Sequence, residues 1–198
     1  MTNPFSLWAR QSEAYIARPR VRLDAILVLD LEATTYADRP RDAIRDIIQI
    51  GICELNLAKG NVSWSDSILV RPSSSEVTAF CTKLTGITAA QAAAGYPFVE
   101  ACEWLKDRCR AHSLAWASFG NFDRAQFLVQ CEREGIEYPF SAEHLNIKLL
   151  AALRFGWLRE KSLKGALAAL GLHFEGTPHN ALYDALNAAQ ILSRVLRP

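Results

Sequence analysis

In the first third of the chain, apolar residues come in unbroken runs rather than at helical spacing. Residues 25–34, AILVLDLEAT, open with Ala25 to Leu29, all apolar, and such a run without alternation is the pattern of a strand covered on both faces. Ile47 to Leu55, IIQIGICEL, repeats the pattern, and the turn NLAKGN at 56–61 leads into a third apolar stretch from Val62 to Val70. The polar segment TYADRPRDA, with Pro40, reads as a loop between the first two, and Pro72 ends the third. Three strands on short connections predict an antiparallel meander with the first strand at or near the sheet centre.

Helical spacing then takes over. Residues 75–84 carry a helical pattern, and LTGIT at 84–88 turns the chain. Pro97 can open the next helix, whose apolar stripe is Val99, Cys102, Trp104, Leu105 and Cys109. His112 to Phe119 reads as a short strand, followed by the break Gly120-Asn121-Phe122-Asp123 and a helix through about Glu134. Another short strand is expected near Tyr138 to Phe140, and this strand, helix, strand order favours parallel connections. The last third reads as helices over 145–155, 162–170 and 181–196, with Gly156 and Gly171 ending the first two.

A chain of 198 residues fits one α/β domain, from residue 23 to 198, preceded by an arm at 1–22 that contains Arg10, Arg18, Arg20 and Arg22. That arm reads either as a solvated extension or as the contact for a protein partner. With 50% hydrophobic and 22% charged residues the composition is that of a globular protein. The formal charge of +1 excludes a strongly basic nucleic-acid coat but leaves room for a local basic groove. Arg10 stands before any apolar core, so no secretory signal is read there, and no apolar run reaches membrane-spanning length. Cys53, Cys81, Cys102, Cys109 and Cys131 have no metal-ligand spacing, so reduced, mostly buried thiols and a cytoplasmic location are expected.

The first strand ends in chemistry. Asp30 and Glu32 are two apart, which on a strand puts both carboxylates on one face, roughly 7 Å apart. Like charges so placed raise each other's proton affinity unless a cation lies between them; the plain alternative is a solvated pair at a strand end. Asp123 follows the Gly120 break, where it can reach the same sheet edge or simply cap its own helix. Asp184 lies in the first turns of the final helix between Ala181 and Ala188, small residues that let the helix approach the sheet and bring Asp184 near Asp30. His179 follows Gly176-Thr177-Pro178 and belongs in the entry loop, where a neutral imidazole can take a proton from an attacking water; otherwise it is a turn or surface residue.

The segments DLEAT at 30–34, GNFD at 120–123 and HNALYD at 179–184 resemble the three motifs of the DEDDh subfamily of DnaQ-like 3'-5' exonucleases, in the ribonuclease H-like superfamily. FCTKLTGIT at 80–88 and Asn146-Ile147-Lys148 look like its ERI-type branch, and the resemblance covers about residues 24–195. It implies a three-layer fold, a twisted five-stranded mixed sheet flanked by helices, and a site for two divalent cations, magnesium with manganese as a replacement. Asp30 would bridge the cations, Glu32 and Asp184 would bind one, Asp123 would support the second, and His179 would be the general base. Leu31, Thr34 and the Leu84 segment would flank the terminal nucleotide, with Phe122 as an apolar wall and Lys83 or Arg124 approaching phosphate. The implied substrate is a single-stranded or frayed 3' end of RNA, or of DNA, released as nucleoside 5'-monophosphates by a monomer or weak homodimer. Gln49 and Tyr183 depart from acidic residues frequent in the family, which keeps open a binding or scaffold domain without turnover. A proofreading or processing subunit docking through residues 1–22 is the third reading.

Overall fold

The computed structural model describes residues 21–38 and 43–197. The expected arm at 1–22 therefore lies, apart from its last two residues, outside the described residues, as does Pro40.

Five strands form one mixed sheet in the order β3-β2-β1-β4-β5. β1 (Arg22–Ala33), β2 (Ile47–Asn56) and β3 (Asn61–Leu69) are the expected antiparallel meander, with β1 in the middle of the sheet. β4 (Leu114–Ser118) and β5 (His144–Asn146) add in parallel on the other side of β1. The alternation of β1 sorts its side chains between two layers. Leu27, Leu29 and Leu31 pack towards α3 (Phe98–Asp107) and α4 (Phe122–Glu134), while Ile26 and Val28 pack towards α5 (Ile147–Arg154), α6 (Leu163–Ala169) and α7 (Ala181–Leu196). Asp30 and Glu32 share the face of Ile26 and Val28, so they emerge under α7.

Between β3 and α3 the chain forms α1 (Ala79–Thr85) and α2 (Ala89–Ala93). The helix expected from Ser75 begins four residues late, because the Ser74 N–H and the Ser75 hydroxyl bond to the Asp46 carboxylate and Thr78 takes the cap. Pro97 opens α3 as expected, but Val99 is exposed and the buried stripe is Phe98, Ala101, Cys102 and Leu105. No strand forms at 138–140. Tyr138 and Phe140 alternate like one only because their rings stack into the core, Phe140 lying 4.4 Å from Trp116 and 5.6 Å from Tyr138. The sheet edge is taken instead by His144–Asn146, so Leu145 and Asn146 are not helical, and Asn146 caps α5 through Leu149 N–H.

The contact that positions everything else is between β2 and the start of α7. Gly51 faces Asp30 across the β1–β2 pair, and a Cβ at Gly51 would fall 2.1 Å from the carbonyl carbon of Ala181. Only glycine lets the first turn of α7 lie on the strand. Gln49, opposite Glu32, completes the seat by accepting the Ala181 N–H at 3.0 Å. Asp184, three residues further along that helix, is thereby carried to the face that holds Asp30 and Glu32.

Candidate active site

Each predicted acid reaches one end of β1. Glu32, His179 and Asp184 offer ligand atoms that all lie within 4.8 Å of one another. Asp30 joins Glu32, His179 and Asp184 in lining a cavity of about 390 Å³, whose apolar walls are Leu31, Phe119, Leu163, Phe174 and Pro178. Asp123 arrives from the opposite layer: at the start of α4 it is buried, and its Oδ1 accepts the Leu31 N–H at 3.1 Å. That bond fixes the backbone between Asp30 and Glu32 to the α4 layer.

His179 is in the turn before α7, with a positive φ of 60°. A left-handed histidine is uncommon and is held only where its surroundings demand it. Here its N–H donates to Asp184 Oδ2 at 2.9 Å, and the turn leaves the imidazole exposed beside the carboxylates. Asn180 caps the helix through Leu182 N–H.

Burial and mutual repulsion push the acids towards their protonated forms. Glu32 is raised to about 8, first by burial and then by Asp184 and Asp123. Asp30 stands well above its ordinary value through burial and the charges of Asp123, Asp184 and Glu32. Asp123 is raised to about 6 by burial, against the hydrogen bonds that favour its charged form. Asp184 is raised by burial, opposed by the His179 N–H, the His179 ring and Lys164. Four carboxylates that resist being charged together, with an imidazole beside them, are the donor set a hard divalent cation fits.

The sign of the pH effect follows. A carboxyl whose folded pKa lies above its unfolded value stabilises the fold fully below the unfolded value, and that stability is lost as pH rises through the folded value. For Glu32 the window runs from 4.5 to about 8. Metal-free protein is therefore expected to melt at progressively lower temperature from pH 5 to 8. Excess magnesium is expected to restore the melting temperature, by an amount that grows with pH because the cation competes with protons. Calorimetry with and without chelator checks this; a chelated protein whose stability rises across that window contradicts the account of the cluster, and Glu32→Gln should flatten the slope.

The expected substrate contacts fare differently. Leu31 lines the cavity, whereas Thr34, Lys83, Leu84, Phe122 and Arg124 do not. Thr34 is fully buried, and its hydroxyl accepts the Asp46 N–H at 3.0 Å and bonds to the Ser75 hydroxyl at 2.7 Å, so its side chain is a brace of the β1 end. Lys83 and Leu84 are exposed on α1, which is tied to the end of β1 by the Thr78 hydroxyl bonding to the Thr35 carbonyl at 2.8 Å. Phe122 is exposed at the start of α4 beneath the Arg45 guanidinium, 5.6 Å from the ring centre. Arg124 is exposed, and its charge acts on Tyr138 and His144. The cavity also holds residues the sequence did not single out: Phe119, Ser162, Leu163, Lys164 and Phe174. They come from the end of β4, the start of α6 and the loop before α7, segments that share no motif and meet only in the fold.

Comparison with known proteins agrees with this geometry. The family model RNase_T, described as Exonuclease, matches residues 27–192. The chain is 30% identical to the 3'-5' exoribonuclease 1 of Rattus norvegicus over 184 residues, which are 88% of this chain and 53% of the relative, so the chain spans about half the length of that relative. The 3'-5' exonuclease Snipper of Drosophila melanogaster is 25% identical over 197 residues, 87% of this chain and 69% of that protein. Among solved structures, the nuclease domain of 3'hExo, a DEDDh family member bound to rAMP, superposes with a TM-score of 0.81 at 27% identity, covering 89% of this chain and 94% of that one.

Proposed function

This chain belongs to the RNase_T exonuclease family, and we propose that it is a metal-dependent 3'-5' exonuclease acting on single-stranded or frayed 3' ends, of RNA in preference to DNA. The carrying observation is the convergence of Glu32, His179 and Asp184 within 4.8 Å at the end of the central strand. The RNA preference is supported by the exoribonuclease relative in rat, and the DEDDh chemistry by the resemblance of the three motifs and the likeness to the nuclease domain of 3'hExo.

Asp30, Glu32, Asp184 and Asp123 would hold two divalent cations, magnesium or in its place manganese. Bound there, the cations would ease deprotonation of an attacking water and neutralise charge developing on the phosphodiester oxygens. The chain's own part is to position and to move the proton. Leu31 and Asp123 lock the strand end, Gln49 and Gly51 seat α7, and the turn at His179 holds the imidazole at the carboxylates. There His179 Nδ1 or Nε2 takes the proton of the water. Leu31, Phe119 and Phe174 offer apolar walls to the terminal nucleoside, a narrow fit that favours unpaired ends.

Gln49, in place of the family's frequent acid, accepts the Ala181 N–H that seats the helix. Tyr183 packs over Gly176, whose missing Cβ would lie 2.3 Å from the ring. Both departures serve the geometry of the site, so catalysis is favoured over a scaffold role. We further propose a monomer or weak homodimer and leave residues 1–22 as the contact for a protein partner. Matched single strands of RNA and DNA, labelled at the 5' end, test the reading: magnesium-dependent shortening faster on RNA is expected, and no shortening of either overturns it.

A further inference from the structure

One wall of the cavity continues into a surface the reaction does not use. Past the end of α5 at Arg154 the chain turns at Gly156, with a φ of 66°, and runs irregularly through Trp157, Leu158, Arg159, Glu160 and Lys161 before α6. Between residues 148 and 164 stand Lys148, Arg154, Arg159, Lys161 and Lys164 against the single acid Glu160, in a chain whose formal charge is only +1. Glu160 is already held by Lys148 at 3.4 Å, and Arg159, Lys161 and Lys164 enter no ion pair among the described residues.

Aromatic rings alternate with these cations. Lys161 Nζ sits 5.2 Å from the Trp157 ring centre and Lys164 Nζ 5.6 Å from that of Phe174. Leu158 is fully exposed at 102%, an apolar side chain with nothing over it. Lys164 and Phe174 also line the cavity, and the Lys164 charge is felt at Asp184. Basic groups interleaved with stacking faces, continuous with a site that faces phosphate, match the combination that binds single strands without reading sequence.

We propose that residues 157–164 are the track by which the single strand leaves the cavity. Lys164 and Lys161 meet the phosphates on the 5' side of the bond being cut, and Trp157 with Leu158 carries a base. Trp157 is half-buried beside the core, so its ring is a fixed platform rather than a mobile one. The proposal rests on the exonuclease reading for its direction, but the surface itself can be tested without turnover.

The test uses the full chain, a fluorescein-labelled 12-nucleotide oligouridine and a diribonucleotide. Arg159→Glu with Lys161→Glu changes exposed or half-exposed side chains and leaves the carboxylates untouched; Trp157→Ala is the second variant. In single-turnover hydrolysis both are expected to raise the concentration needed for half-maximal rate on the 12-mer by roughly tenfold, while the dinucleotide is cut at the parental rate. In anisotropy titrations of the 12-mer with calcium, the charge variant is expected to bind more weakly, with a logarithmic salt slope shallower by about 0.7 for each phosphate no longer neutralised. Equal losses on both substrates, or an unchanged 12-mer affinity and salt slope, overturn the track. Parent protein that cuts neither substrate defeats the exonuclease reading instead, and the binding titration still decides the surface.

Discussion

Replacing His179 by alanine is expected to lower the single-turnover rate at saturating magnesium and substrate by about 10² to 10⁴, the usual cost of removing a general base. The site carboxylates remain, so cation binding should change far less than rate. Alanine also has to occupy the left-handed conformation of the turn, where φ is 60°, at a cost of about 1 to 2 kcal/mol. His179→Asn is the better partner variant, because asparagine visits the left-handed conformation readily; both variants keep the backbone N–H that bonds to Asp184. Both variants should lose the step to a similar degree. Near-parental hydrolysis by either would end the assignment of His179 as base. Loss of cation binding by a folded His179→Asn would instead make the imidazole a ligand, a role its 4.8 Å grouping with Glu32 and Asp184 also permits.

Asp184→Asn should separate metal holding from proton transfer. The substitution keeps an oxygen for the His179 N–H but removes a negative charge beside Glu32 and Asp30. Cation affinity is expected to fall by at least about tenfold to a hundredfold, the loss seen when even an outer partner of a ligand is removed, and excess magnesium should recover part of the rate. His179→Ala should show no such recovery. Without metal, Asp184→Asn should melt higher than the parent above pH 7, because one member of a mutually repelling set is gone. Calorimetric titration with magnesium and melting in chelator read both effects; parental cation affinity in Asp184→Asn would remove it from the metal site.

Much of this was legible in the chain because the signals were local. Residues 25–29 and 47–53 are apolar almost without interruption, so β1 and β2 announced themselves, and the small residues of the last helix told of its close approach to the sheet. The carboxylates and His179, which the fold brings to one end of β1, stood out in the chain because an acid or imidazole at the edge of an apolar element is conspicuous. What misled were patterns with two physical readings. Tyr138 and Phe140 alternate like a strand because they feed one ring cluster. Leu145 looked helical because the next turn is, although it pairs with Ala117 in the sheet. α2 went unread although its signal was present: Thr88 and Gln91 form a capping box.

Of the expected substrate contacts only Leu31 lines the cavity, for a related reason. A motif places a residue near a site but not the direction of its side chain, so Thr34 was expected at the nucleotide and is instead buried against Asp46 and Ser75. Gly51 was passed over as one small residue in an apolar strand, and its importance lies wholly in the helix backbone that crosses it. Lys164 and Phe174 belong to the cavity by tertiary packing alone.

The carboxylates gathered at the end of β1 and the His179 turn are proposed to form a metal-dependent site for hydrolysis from a free 3' end. Its most direct measurement is the product pattern from a 5'-labelled single-stranded RNA, with the 3' hydroxyl either free or blocked by phosphate. A ladder shortening one nucleotide at a time, with release of nucleoside 5'-monophosphates, is expected. It should require magnesium or manganese, be absent in chelator and in Asp30→Asn, and be strongly slowed by the block. Internal fragments in place of a ladder, or the same ladder from folded Asp30→Asn, would contradict it.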